Sequence, residues 1–140
     1  SERGYDVATI KHDGHEFEAD VPGTDSHRMK KAGAFGTVVY SGTRFALVKD
    51  QAGLEARDFF GYFPEADILL LEGQKNSAYP KIEVLRQEIS CSPVCSPETV
   101  LAYVADCQVS QQGSREPRQV FAFDQLDEVA ELASHGCSIF

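Results

Sequence analysis

Apolar and polar positions along the chain fall into short blocks with strand-like and helix-like periods. Tyr5 to Ile10 is mainly apolar and β-branched and runs into Lys11-His12-Asp13-Gly14-His15, a strand followed by a polar cluster. Lys11 to Gly23, rich in His, Asp, Gly and Pro, reads as a loop. Thr24 or Asp25 then caps a short helix through Lys31, stopped near Gly33 to Gly36. Thr37 to Tyr40 and Arg44 to Val48 flank Ser41-Gly42 as a hairpin. Leu54 to Tyr62 is expected to be helical and to end before Pro64. Ala66 to Glu72 carries the unbroken run Ile68-Leu69-Leu70-Leu71, which predicts a strand buried on both faces. Lys81 to Arg86, Thr99 to Ala105 and Gln119 to Ala122 are further strands, the second another buried run. Asp124 is expected to cap a closing helix in which Leu126, Val129, Ala130 and Ala133 lie at i, i+3, i+4 and i+7.

Strands alternate with helices, so the pattern predicts an α/β fold with a largely parallel sheet and one hairpin insertion. No internal repeat or linker breaks the chain, which reads as one domain over residues 1–140. Ser110 to Pro117 is polar and reads as an exposed loop.

Composition narrows the function classes. With 42% hydrophobic and 25% charged residues, the chain is a globular protein rather than a disordered tail. No apolar run approaches the roughly 20 residues of a membrane span. The opening Ser-Glu-Arg-Gly is not a signal sequence, and the absence of Met at position 1 leads us to expect a fragment or a chain whose start has been removed. A cytoplasmic location is expected. The net charge of −9 argues against a nucleic-acid partner held through its phosphates. From Gln87 onward, eight acidic residues face only Arg115 and Arg118, whereas His27, Arg28, Lys30 and Lys31 form a basic cluster suited to a small anion. Cysteines at 91, 95, 107 and 137 read as reduced structural residues rather than disulfides, and Cys91-x3-Cys95 lacks the spacing of a zinc knuckle.

In an open α/β sheet, ligands sit beyond the carboxyl ends of the strands. Two such ends carry chemistry here: Lys11-His12-Asp13-Gly14-His15 and Glu72-Gly73-Gln74-Lys75. Four aliphatic residues followed by an acid and a glycine resemble the acidic end of a nucleotide-binding strand, where a carboxylate orients magnesium-bound or attacking water. The alternative for Glu72 is a solvated carboxylate that merely ends the strand. Lys11 is placed to contact a phosphate or simply to face solvent. His12 and His15, beside Asp13, have metal-ligand chemistry, but equally make ordinary loop hydrogen bonds. Asp25 either caps its helix or faces a magnesium–phosphate group, and Arg28 is the residue of the basic helix best placed to turn inward. No Gly-x4-Gly-Lys-Ser/Thr phosphate loop, Gly-x-Gly-x-x-Gly or Gly-x-Ser-x-Gly occurs.

Several segments together resemble the MobB family of molybdopterin-guanine dinucleotide biosynthesis. They are Arg3 to His15, Pro22-Gly23-Thr24-Asp25-Ser26-His27-Arg28, Lys31 to Ala34, Ala66 to Lys75, and Pro80 to Arg86, in matching order and spacing. The resemblance is specific through residue 86; beyond it only the strand and helix pattern agrees. It implies a three-layer P-loop NTPase-like fold that binds GTP with magnesium and has at most weak GTPase activity. It also implies an accessory role beside a MobA-type guanylyltransferase, with contacts to molybdopterin or molybdoenzymes, and a homodimer. Carried over, Glu72 is the catalytic or water-orienting acid. Lys11, His12, Ser26, Arg28 and Gly73 contact nucleotide or phosphate, and Asp25 and Glu72 serve the magnesium ion. The family opens with a strand, a phosphate-binding loop and a long helix, and this chain starts where that helix would end. The position after Glu-Gly, usually aromatic, is Gln74.

Two other classes are consistent with the residues alone. One is a non-catalytic interaction module without nucleotide binding. The other is a metal-binding protein using His12, His15, Cys91 and Cys95, although no tetrahedral zinc site is expected from the ligand spacing.

Overall fold

The computed structural model describes residues 2–112 and 116–135, and its elements run β1 (Val7–Lys11), α1 (Asp25–Lys31), β2 (Gly36–Tyr40), β3 (Phe45–Lys49), β4 (Ile68–Glu72), β5 (Lys81–Leu85), β6 (Val100–Ala105), β7 (Gln119–Phe121) and α2 (Leu126–His135). Two compact units divide the chain after Gly73.

In the first unit, β1 and β4 pair in parallel from Val7↔Ile68 to Lys11↔Glu72. Asp67 sets this register at the start: its carboxylate accepts the Asp6 N–H at 2.8 Å, and its own N–H donates to Asp6 O at 2.8 Å. Because the strands are parallel and in step, Lys11 and Glu72 end side by side. β2 and β3 form the expected antiparallel hairpin, closed where Ser41 N–H donates to Arg44 O at 2.7 Å, and α1 packs on β2. α1 starts as its sequence predicts, with Thr24 Oγ accepting the His27 N–H.

Two expectations fail and a third is met in a tighter form. β4 is not buried on both faces, since Leu70 is 47% exposed. Among the described residues its only paired neighbour is β1, so the apolar run lacks the covering layers that its composition anticipates. The helix expected over Leu54 to Tyr62 is a 3₁₀ helix over Ala56–Tyr62. Phe59-Phe60-Gly61 has low helix propensity, and Asp58 N–H already bonds Glu55 O three residues back, so the tighter winding prevails. In α2, Val129 N–H donates to Gln125 O, which makes Gln125 rather than Asp124 the capping residue. The core-facing residues of α2 are then the half-buried Val129 and Leu132, and Leu126 is 69% exposed.

The second unit holds nearly all of the buried core. Its sheet is β5-β6-β7, parallel throughout, with β6 in the middle. As the apolar run Thr99 to Ala105 predicts, β6 is covered on both faces. On one face Ala102, Val104 and Phe121 pack with Ile82 and with Val129 and Leu132 of α2. On the other, Leu85, Val100, Tyr103 and Ala105 pack with Cys95, Cys107 and Val109. The connection from β5 to β6 carries no helix. It is held to β5 by Glu83, a buried carboxylate that accepts N–H bonds from Val94 at 2.6 Å and Cys95 at 3.3 Å. Both amides and the acid are thereby satisfied, which makes burial of the carboxylate tolerable.

The cysteines correct the sequence reading. Cys91 and Cys107 form a disulfide with Cα atoms 6.1 Å apart, because the crossover returns alongside the end of β6 and brings together residues 16 apart in sequence. Cys95 is a free thiol, and Cys137 lies outside the described residues.

Candidate functional site

At the carboxyl end of the β1–β4 pair, Lys11 Nζ lies 3.4 Å from Glu72 Oε2, with the two side chains 68% and 66% exposed. The backbone holds them there: His12 N–H donates to Glu72 O at 2.9 Å, one step beyond the last strand pair. Gly73 then turns the chain away at φ +84°, and a Cβ at this position would sit 2.4 Å from His12 O. Only glycine accepts both that backbone angle and that approach. Lys11, His12, Glu72 and Gly73 therefore form one cluster, with a cation and a carboxylate presented to solvent on a fixed backbone.

Asp25, Ser26 and Arg28 form a second cluster at α1, and no hydrogen bond or ion pair among the described residues joins it to the first. Asp25 and Arg28 pair with each other at 3.7 Å, both largely exposed, an i,i+3 contact worth at most a few tenths of a kcal/mol. Ser26 lies 3.2 Å from Thr24 Oγ and also bonds the Asp20 carboxylate. That bond, ahead of the Val21 amide and the Thr24 hydroxyl, holds Asp20 below the usual carboxylate range, although the partial desolvation of the group works the other way. Lys30 is not a solvated residue of the basic face, for its ammonium pairs with Asp50 and reaches Phe35 O. His15 donates its backbone N–H to Asp13 at 3.3 Å, and among the described residues no group of three His, Cys, Asp or Glu is arranged to hold a metal ion.

Two polar residues of the second unit escaped the sequence reading. Lys81 directs its ammonium onto Ser77 O at 2.7 Å and Tyr79 O at 2.8 Å, tying together the loop that leaves Gly73. Glu83 clamps the β5–β6 crossover, as described above. The available signal was strand alternation: in Lys81–Leu85 the acid shares a face with the buried Leu85, an unfavourable place unless the carboxylate is bonded.

The donors of the first cluster match part of what a magnesium nucleotide requires. A lysine suits a phosphate oxygen, and a solvent-facing carboxylate suits metal-bound water. They do not supply a row of backbone N–H groups, and the only α-helix among the described residues of this unit, α1, spans seven residues with its His27 amide already bonded to Thr24. The cluster thus fits one wall of such a site, the wall that carries the acid and the lysine.

Comparison with known proteins identifies the family. The family described as molybdopterin guanine dinucleotide synthesis protein B, MobB, matches residues 1–106. The molybdopterin-guanine dinucleotide biosynthesis adapter protein of Escherichia coli (strain K12) is 36% identical over 89 residues, 60% of this chain and 51% of that protein. A probable adapter protein of Bacillus subtilis (strain 168) is 36% identical over 91 residues, 63% of this chain and 53% of its own length. The chain thus spans about half the length of the curated relatives it matches. A crystal structure of Bacillus subtilis MobB aligns with a TM-score of 0.67 at 27% identity, covering 95% of this chain and 81% of that one. A structure of molybdopterin-guanine biosynthesis protein B aligns with a TM-score of 0.62 at 22% identity, covering 94% and 80%, and bears on the fold alone. These structures share the mixed α/β architecture with parallel strands that the sequence pattern predicts. With the family match spanning more than half of its residues, the chain belongs to the MobB family.

Proposed function

We propose that this chain carries part of the nucleotide site of a cytoplasmic adapter in molybdopterin guanine dinucleotide biosynthesis, one that binds GTP with magnesium and assists a MobA-type guanylyltransferase. The observation that carries the reading is the Lys11–Glu72 pair at the shared carboxyl end of β1 and β4, fixed by the His12–Glu72 backbone bond and the Gly73 turn. Lys11 holds a phosphate oxygen, Glu72 orients water, and Gly73 lets the two strand ends approach. Bound magnesium would neutralise phosphate charge and present water to the carboxylate. Asp25, Ser26 and Arg28 belong to this proposal as the α1 side of the phosphate region, on the strength of the family resemblance.

The test is Glu72→Gln in a chain extended N-terminally by a strand, a Gly-x4-Gly-Lys-Ser/Thr loop and a helix. GTP turnover is expected to fall roughly 10- to 100-fold while the GTP dissociation constant changes by less than about 3-fold, because a water-orienting group acts mainly on the transition state. Equal losses in binding and turnover would instead make Glu72 a binding or folding residue.

A second reading, a protein-interaction module, rests on the β2–β3 hairpin. Val38, Val39, Tyr40 and Phe45 are each more than half exposed on an element of only two strands. Such a surface suits a guanylyltransferase, a molybdoenzyme or a second copy of the chain. Tyr40→Ser with Phe45→Ser is expected to weaken capture of the purified guanylyltransferase at least about 10-fold, since aromatic anchors dominate interfaces of this kind. Unchanged capture, with Lys11→Ala abolishing it, would assign the contact to the nucleotide edge.

A further inference from the structure

The structure points to a second device, in the other unit, that the proposed nucleotide site does not use. The crossover from β5 to β6 has two independent attachments. Its second half is fixed by the Glu83 carboxylate through the amides of Val94 and Cys95. Its first half is fixed at the end of β6, where Gln87 N–H donates to Asp106 at 2.7 Å and Cys91 is bonded to Cys107. Between these anchors the segment has little else to hold it: Ile89 is 79% and Val94 66% exposed, and the bonds of Ile89 and Ser90 run back only to Arg86. Both bonded cysteines are partly exposed, so a reductant can reach them.

We propose that the Cys91–Cys107 bond is a redox latch on this crossover, opened by a dithiol reductant and closed again by the disulfide form of the same carrier. One thiolate of the carrier attacks a sulfur of the Cys91–Cys107 bond and displaces the other as a thiolate. The carrier's second thiol then resolves the mixed disulfide. Two electrons and two protons pass to Cys91 and Cys107, the carrier becomes a disulfide, and the reverse sequence closes the latch. Opening frees Glu88 to Pro93, whereas Val94 onward stays clamped by Glu83.

Two features make this a latch rather than a staple of the fold. Around β6, the face of Ala102, Val104 and Phe121 packs with Ile82 and with Val129 and Leu132 of α2 and involves neither bonded cysteine, whereas the opposite face packs with Cys95, Cys107 and Val109. Loss of the bond therefore leaves the helix-covered face untouched, and on the other face Cys95 stays held through its amide by Glu83. The third sulfur stays out of the exchange. Cys95 packs on the same apolar cluster as Cys107. Burial raises its thiol pKa, and the Glu83 carboxylate raises it further against the opposing pull of Lys81 and Lys75. The thiolate is the attacking species, so the bonded pair opens and recloses without scrambling. In a reducing compartment such a bond forms only under oxidation, the usual role of an intracellular disulfide. The loop it controls leaves the carboxyl end of β5, the edge at which open α/β sheets place ligands, where Arg86 lies 5.2 Å from the Phe123 ring centre.

The experiment equilibrates the full 140-residue chain with reduced and oxidised dithiothreitol and reads thiol alkylation and amide hydrogen exchange by mass spectrometry. Reduction without denaturant is expected to label Cys91 and Cys107, and to speed exchange over 88–93 at least about 10-fold while leaving Val100–Ala105 unchanged. Cys95 is expected to label more slowly than either, and Cys95→Ser to leave the opening equilibrium unaltered. Cys91→Ser should reproduce the reduced exchange pattern; if that variant does not fold, wild-type reduction decides the matter alone. Three outcomes would overturn the proposal: no Cys91–Cys107 link under oxidised dithiothreitol, a link that resists excess reductant in the native state, or exchange in β6 rising as much as in the loop.

Discussion

Gly73→Ala is expected to destabilise the first unit by roughly 2–4 kcal/mol and to separate the ends of β1 and β4. The added Cβ would lie 2.4 Å from His12 O, closer than any real Cβ approaches an oxygen, and the obstacle is backbone rather than a side chain that can rotate aside. The φ of +84° adds a further cost of about 1–2 kcal/mol for any L-residue with a side chain. Relief requires His12 to retreat, which breaks its 2.9 Å bond to Glu72 O at a net cost near 1 kcal/mol. The first unit has little reserve against such a loss, since Ala56 alone among its described residues falls in the buried core. The midpoint of denaturant unfolding, together with hydrogen exchange at His12, measures the effect. A change below about 1 kcal/mol with the Lys11–Glu72 pair intact would show that the turn has slack, and the glycine would no longer mark a constrained site.

The degree to which the sequence was legible follows from the range of each interaction. Local signals were read well: a helix cap at Thr24 or Asp25, which is Thr24, Ser41-Gly42 as a hairpin turn, and Thr99 to Ala105 as a strand covered on both faces. The run Ile68 to Leu71 looked just as buried, yet Leu70 is half exposed. Composition reports that a strand tolerates covering, whereas its actual cover depends on which elements surround it. The same distinction governs the site. That Lys11 and Glu72 lie side by side was legible, because strand ends in a parallel pair fall together once the register is given. That Gly73 must be glycine was not legible, because the atom it avoids belongs to His12, 61 positions earlier. Cysteine pairing failed for a similar reason: Cys91-x3-Cys95 is the conspicuous spacing, but the chain path brings Cys107, not Cys95, to Cys91. The hydroxyl contact between Ser26 and Thr24 was not legible either, because it depends on how the loop enters α1.

The largest effect expected is on nucleotide affinity. This 140-residue polypeptide alone should bind magnesium-GTP with a dissociation constant no tighter than about 1 mM, several powers of ten weaker than a site with a complete phosphate loop. Triphosphate affinity in such sites comes from backbone N–H groups converging at a helix N-terminus, with one lysine and a hydroxyl on magnesium. Within these residues no Gly-x4-Gly-Lys-Ser/Thr occurs, and the basic residues of α1 contribute charge without a cradle. Each charge-assisted bond forgone is worth roughly 1.5–3 kcal/mol, so three of them amount to about 3–6 powers of ten. The Lys11–Glu72 pair cannot make up the difference, because a cation and a carboxylate 3.4 Å apart present almost no net charge to a polyanion. Bound magnesium would satisfy the carboxylate and free the lysine for phosphate, so whatever binding persists is expected to disappear when magnesium is chelated. Calorimetric titration of the monomer, with and without chelator, decides the point. Micromolar affinity, or binding indifferent to magnesium, would mean that the phosphates are held by other groups and that the acid and lysine at the end of β1 and β4 are not the wall of the site proposed here.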